Sequence, residues 1–294
     1  MKLGQKIGQE YFQIDLDLER IDALYIHEET ISTNLEKIKS ILKRQGFQID
    51  PIIVDKNSGV ILDGMHRYEA LRQMGFNYIA VAKVDYSSPN IVIKNWYRTF
   101  QLSKPLKIVL DKFVEIADSV GFEICESAEE KTKPAGKTIF SIWIKGIERS
   151  YNAILDKELN IWEKYMLLKS FEESFSTAFN TKPNYRSEEL AIKDFDSSKI
   201  DIVLATPAIK KEEVVKFALD KKVFPPKTTR HILPVRPLFV NAPLSLLKKD
   251  GLGKTLNEKR EIFQKLLLQK TLIKVKGEVV IDRFYEERAL YIFI

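Results

Sequence analysis

The sequence predicts an α/β chain, α+β in how its layers segregate, built as two domains and a C-terminal extension. Three observations predict it. Short apolar runs rich in Val and Ile alternate with longer amphipathic stretches of helical spacing. The run Val60-Ile-Leu-Asp63 turns at Gly64 straight into a helical pattern, a strand–turn–helix joint typical of mixed folds. And 294 residues is long for one domain but comfortable for two.

Tyr11 to Ile26 reads as extended, with Phe12, Ile14, Leu16 and Leu18 alternating with polar residues. A loop follows at His27-Glu28-Glu29. Thr30 or Ser32 is expected to cap the next helix, which carries Leu35, Ile38, Ile41 and Leu42 on one face and ends at Gly46. Pro51 to Asp55 is a short buried strand, and Lys56-Asn-Ser-Gly59 a hairpin turn into Val60-Ile-Leu62. Ala70, Leu71 and Met74 then repeat at helical spacing up to Gly75. Tyr78 to Asp85 and Ile91 to Tyr97 are strands by their β-branched and aromatic content. This makes an α/β unit over 1–100.

Gln101 to Pro105 is a junction. The second domain, 101–240, is expected to hold a helix at Leu106 to Val120 and strands at Phe122 to Cys125, Thr138 to Ile144 and Ile200 to Leu204. Helices are expected at Asp156 to Phe175, with Leu159, Trp162, Met166 and Leu167 inward, and at Lys211 to Leu219. From 241 to 294 the pattern becomes a helix at Lys254 to Leu268, a hairpin through Gly277 joining Leu272–Val275 to Val279–Ile281, and a final strand within Tyr285 to Ile294.

Composition bounds function only loosely. Lys plus Arg number 47 against 41 Asp plus Glu, a surplus spread along the chain that suits a phosphorylated small ligand or nucleic acid and decides neither. The Lys- and Glu-rich balance with one Cys suits a hot habitat. Cys125 is alone, so no internal disulfide forms and a reducing compartment is expected. Nothing resembles a signal peptide, and no run reaches the roughly 18 apolar residues of a spanning helix. The expectation is a soluble cytoplasmic protein without a membrane partner.

Three segments are dense in chemistry. At Asp63-Gly-Met-His-Arg67 a helix starts beneath unpaired amides, a spot that favours anions. Cations in a first turn oppose the helix dipole, and a phosphate at His66 and Arg67 resolves that conflict, with a metal near Asp63. In the loop after the first strand, Glu28 could take a proton from a substrate hydroxyl. In Lys227-Thr-Thr-Arg-His231, alternate residues of an extended segment share a face, so Lys227, Thr229 and His231 form a cradle for carboxylate or phosphate. The protein's three histidines, His27, His66 and His231, each fall in one of these segments, which favours one shared site. Gly251-Leu-Gly-Lys-Thr255 is no phosphate loop, because position 248 is Lys where the motif needs Gly.

With these residues in view, the chain resembles the ParB/sulfiredoxin fold. Asp63-Gly-Met-His-Arg-Tyr-Glu-Ala-Leu71, after Pro51-Ile-Ile-Val and a hairpin, looks like its nucleotide-phosphate motif. Sulfiredoxins carry a catalytic Cys where Met65 stands, so that chemistry is excluded. Chromosome-partition ParB proteins have a Gly-Glu-Arg-Arg type motif and a following helix-turn-helix, neither of which is seen here. The free L-serine kinases, ADP-dependent or ATP-dependent, are similar over most of residues 12–240. His27-Glu28, Asp85-Tyr86, Trp96-Tyr97 and Pro226-Lys-Thr-Thr-Arg-His-Ile-Leu-Pro234 carry that likeness.

The resemblance implies a kinase that moves a phosphoryl group from ADP or ATP, with Mg²⁺, to free L-serine lying between the two domains. It implies catalytic roles for Glu28 and Asp63, with Asp63 also at the metal. Gly64, Met65, His66 and Arg67 would hold nucleotide phosphate, and Trp96, Lys227, Thr229, Arg230 and His231 the serine. The kinases usually have His where Met65 stands, and Met cannot donate a hydrogen bond to phosphate. On this reading nucleic acid is no partner, and phosphoserine feeds a route such as cysteine formation. A ParB-like, nucleotide-dependent DNA-binding regulator is the alternative.

Overall fold

Alternation within Glu10–Arg20 places Phe12, Ile14, Leu16 and Leu18 on one buried face, and this strand anchors the first sheet. Each of those four side chains is worth about 1.5–3 kcal/mol of burial. The structure, a computed structural model, describes residues 1–102, 106–277, 279–281 and 284–294. It divides into two compact units: Met1–Val92, Val214–Pro226 and His231–Ile294 form the first, and Ile93–Glu213 with Lys227–Arg230 the second.

The first unit holds a five-stranded sheet in the order Lys2–Ile7, Glu10–Arg20, Tyr78–Val84, Ile52–Asp55, Ile61–Asp63. Only Ile52–Asp55 and Tyr78–Val84 run parallel within it, joined by the hairpin to Ile61–Asp63 and the helix Met65–Gln73. The extended stretch expected as far as Ile26 stops at Arg20, where one 3₁₀ turn, Ile21–Ala23, intervenes. The next helix, Ser32–Gln45, ends at Gly46 as expected, with φ 73°. Its N-cap is Ile31, however, and neither Thr30 nor Ser32 caps it with a side chain.

The chain beyond 241 belongs to this first unit. Thr255 and Glu258 make a reciprocal capping box for the helix Leu256–Leu268, which is why Gly251 to Thr255 is structural. That helix buries Phe263 and Leu267, and its Arg260 and Gln264 donate to the carbonyls of Leu18 and Leu16 at 3.0 and 2.9 Å. The expected hairpin through Gly277 is corrected. Leu272–Lys276 pairs antiparallel with Ala289–Phe293, which also pairs in parallel with Val235–Leu238; Val279–Val280 pairs instead with Phe284–Tyr285. Position 278 of that expected hairpin, like 103–105 of the expected junction, lies outside the described residues. Among the described residues no helix is long and apolar enough to cross a membrane.

The second unit is a six-stranded antiparallel sheet in the order Asn184–Arg186, Tyr97–Phe100, Ile202–Ala205, Thr138–Ile144, Ser150–Ile154, Glu123–Ser127. The helices Leu106–Val120 and Ile161–Phe179 cover it through stacked rings of Phe113, Phe171 and Phe175. The helix expected from Asp156 starts at Ile161, capped by Asn160 and Glu163. It turns inward Tyr165, Leu168, Phe171 and Phe175; Leu159, Trp162, Met166 and Leu167 are only half-buried. The aromatic stripe sets the helix phase because those rings bury more area. The strand expected over Ile91 to Tyr97 is two, Val92–Asn95 and Tyr97–Phe100, broken at Trp96.

Candidate active site

Gly64 is the pivot of the first unit's site. Its φ of 96° is a left-handed geometry, and a Cβ there would meet Ile52 Cγ2 at 2.6 Å and Arg67 Nη2 at 2.9 Å. Only glycine lets the strand Ile61–Asp63 turn this closely into the helix. No side chain caps that helix start, so its first amides and dipole are directed at a potential anion.

The flanking side chains are firmly held. Arg67 Nη1 donates to the carbonyls of Asp50 and Pro51 at 2.9 and 3.0 Å, and Nη2 reaches Asp63 Oδ2 at 3.4 Å. Arg236 Nη1 donates to the same Asp63 Oδ2 at 2.5 Å, and its Nε to Glu287 Oε1 at 2.5 Å. Coulombic attraction from Asp63 and Glu287 outweighs burial and raises the Arg236 pKa, so this guanidinium stays charged. His66 Nε2 accepts the Ile31 amide proton at 2.9 Å, which makes His66 a neutral ring with its proton on Nδ1.

Glu28 lies in a loop bound on both sides. Phe224 N donates to His27 O at 2.8 Å and Glu29 N to Phe224 O at 2.9 Å, and the Glu28 residue is only 6% exposed. The loop is tied to the Gly64 turn at three points. Ile61 N donates to Tyr25 O at 2.9 Å, His27 Nδ1 to Ile61 O at 2.7 Å, and Ile31 to His66. Burial pushes the His27 pKa down, so the ring is neutral, and its 3.8 Å approach to Glu28 is no ion pair. His231 packs edge-on against His27 with ring centroids 5.3 Å apart, and its Nε2 shares a 2.7 Å hydrogen bond with Tyr86 OH.

In the second unit Trp96 organises the cradle. Its Nε1 donates to Thr229 O at 3.0 Å, while Lys227 Nζ and Arg230 Cζ stand 5.4 and 5.2 Å from the ring centre. The expected alternation is corrected at one end. Lys227 has φ 61° and precedes the strand Thr229–Ile232, so it does not share the face of an extended run. Buried Arg98 fixes this bend by donating to the carbonyls of Trp96 and Lys227 at 2.8 and 3.2 Å while pairing with Glu172.

Met65 opens the helix, as its place after Gly64 requires. The first unit thus gathers Glu28 with His27 and His231, and Asp63 with Arg67; the second gathers Trp96, Lys227, Thr229 and Arg230. Sequence reasoning missed Tyr86's bond to His231, and also Arg98, Arg236 and Glu287. A signal existed for Arg236, a charge inside the otherwise apolar run Val235-Arg-Pro-Leu238.

No protein-family model matches the chain. An ATP-dependent L-serine kinase of Staphylothermus marinus is 29% identical over 236 residues, 78% of this chain and 89% of the relative. The chain is similar to the L-serine kinases. The ADP-dependent L-serine kinase SerK of Thermococcus kodakarensis is 27% identical over 250 residues, 80% of this chain and 94% of its own. A solved free serine kinase in complex with AMP superposes with a TM-score of 0.65 at 24% identity, covering 79% of this chain and 93% of that one. The fold is therefore that of the free serine kinases, the ParB/sulfiredoxin-like arrangement that the Asp63–Leu71 motif implied.

Proposed function

We propose that this chain is a small-molecule kinase that transfers the terminal phosphoryl group of ADP or ATP to the hydroxyl of free L-serine, giving O-phospho-L-serine. One observation carries phosphoryl transfer. The loop bearing buried Glu28 is stitched to the Gly64 turn at His27–Ile61 and Ile31–His66, so an acid and an anion-binding helix start are held as one piece. The choice of serine rests on what the similar proteins phosphorylate.

The serine hydroxyl oxygen forms the new P–O bond as the bond to the leaving nucleotide breaks, and its proton passes to the Glu28 carboxylate. Neutral His27 gives its N–H to Ile61 O, which fixes the ring beside Glu28. The amides after Gly64 and the Nδ1–H of His66 would meet phosphate oxygens, while Arg67 contributes charge at that helix start. Trp96, Lys227, Thr229, Arg230 and His231 would hold the serine carboxylate and amine.

Among the described residues no three metal-ligating side chains stand together. A phosphoryl-transfer Mg²⁺ commonly takes one or two carboxylates and completes its shell with phosphate and water, so a single Asp63 fits. Bound there, Mg²⁺ would neutralise developing phosphate charge.

Incubation with L-serine, Mg²⁺ and either ADP or ATP, followed by ³¹P NMR, tests the reading. A phosphoserine resonance with one donor is expected. Its absence with both donors, together with salt-dependent DNA binding, would favour the regulatory alternative.

A further inference from the structure

We propose that Arg236, gripped by Glu287, is the positioning residue that aims the Asp63 carboxylate, so that the C-terminal segment completes the phosphoryl-transfer site. This rests on the role given to Asp63 above.

Every residue of the strand Val235–Leu238 is buried, an expensive place for a guanidinium unless it is paired. Arg236 is paired at both ends of its fork. Nη1 holds Asp63 and Nε holds Glu287, each at 2.5 Å, and the Arg236 and Glu287 side chains are both 8% exposed. A guanidinium can serve two carboxylates in fixed directions, which an ammonium on a flexible stem cannot. Arg67 approaches the same Asp63 Oδ2 at 3.4 Å from the helix after Gly64. Charges therefore alternate in sign from Glu287 through Arg236 and Asp63 to Arg67, and one oxygen of Asp63 is set from two elements.

Sheet register brings Glu287 here. Ala289–Phe293 runs parallel to Val235–Leu238 with Arg236 opposite Leu290, and Ala289 N donates to Pro234 O at 3.3 Å. The antiparallel partner Leu272–Lys276 clamps that strand from its other side. The segment after 241 is thus the element that delivers the counter-charge for Arg236. Without Glu287 the buried guanidinium loses one of its two carboxylates and its fixed orientation.

The test compares Arg236→Met, Arg236→Lys and Glu287→Gln in the full-length protein. Serine kinetics are read alongside Mn²⁺ binding in the presence of ADP by electron paramagnetic resonance, and thermal unfolding is followed in parallel. Arg236→Met should lower kcat tenfold or more with the serine KM within about twofold, and weaken Mn²⁺ binding severalfold. Arg236→Lys should recover part of both, and Glu287→Gln should show the same pattern more mildly. Folded variants with unchanged Mn²⁺ affinity, or with only a lowered melting temperature, would overturn the proposal. If Arg236→Met does not fold, Glu287→Gln decides. If the parent protein makes no phosphoserine, the kinase reading fails first, and the Mn²⁺ measurement still judges Arg236.

Discussion

Gly64→Ala puts the pivot of the site under direct load. The backbone there has φ 96° and ψ 21°, a left-handed geometry that costs an L-residue about 1–2 kcal/mol. The added methyl would stand 2.6 Å from Ile52 Cγ2. Ile52 is fully buried in the sheet and has nowhere to retreat, so overpacking adds about 1–3 kcal/mol. The expected total is roughly 2–5 kcal/mol, from these two contributions. The methyl also lies 2.9 Å from Arg67 Nη2, so the guanidinium must shift away from Asp63 and the carbonyls of Asp50 and Pro51. Urea unfolding followed by circular dichroism should show a lower midpoint at unchanged slope, and isothermal titration a weakened nucleotide. A variant within about 0.5 kcal/mol of the parent, the usual scatter of a neutral substitution, with equal nucleotide affinity would refute this account of the turn.

Glu28→Gln keeps shape and loop bonds but removes the proposed base. Phosphoserine formation should fall about 10²–10⁴-fold while nucleotide affinity by calorimetry stays level; near-parental turnover would remove Glu28 from the mechanism. His27 titrates lower when folded than its ordinary 6.5 because it is buried. Below that pH the unfolded chain binds a proton the folded ring refuses, so stability should fall with pH by up to about 1.4 kcal/mol per unit. That slope should shrink in His27→Gln, and equal slopes in the two proteins would contradict the assignment. Trp96→Ala removes the ring under Lys227 and Arg230, two cation–π contacts worth about 1–2 kcal/mol together. Serine KM should rise roughly 5- to 30-fold on that basis. An unmoved KM would place serine elsewhere.

What was legible in the sequence was whatever depends on near neighbours. The alternation through Phe12, Ile14, Leu16 and Leu18 marked a half-buried strand, and Leu106–Val120, Thr138–Ile144 and Lys211–Leu219 emerged with the bounds their periodicity implied. The Asp63-Gly64 joint and the segments around Glu28 and Lys227 to His231 were visible because their chemistry is dense over a few residues. Helix phase in Ile161–Phe179 was not, since Trp162 and Tyr165 are equally plausible anchors until the sheet beneath selects Tyr165, Phe171 and Phe175. Nor was the link from Arg236 to Asp63, 173 residues away, or from Arg98 to Lys227, 129 residues away. The sequence by itself determined the local elements and where polar and titratable side chains cluster, because spacing of two or of about 3.6 is written in adjacent positions. Tertiary structure alone decided which charges meet, because strand register between distant segments, such as Arg236 opposite Leu290, sets those distances.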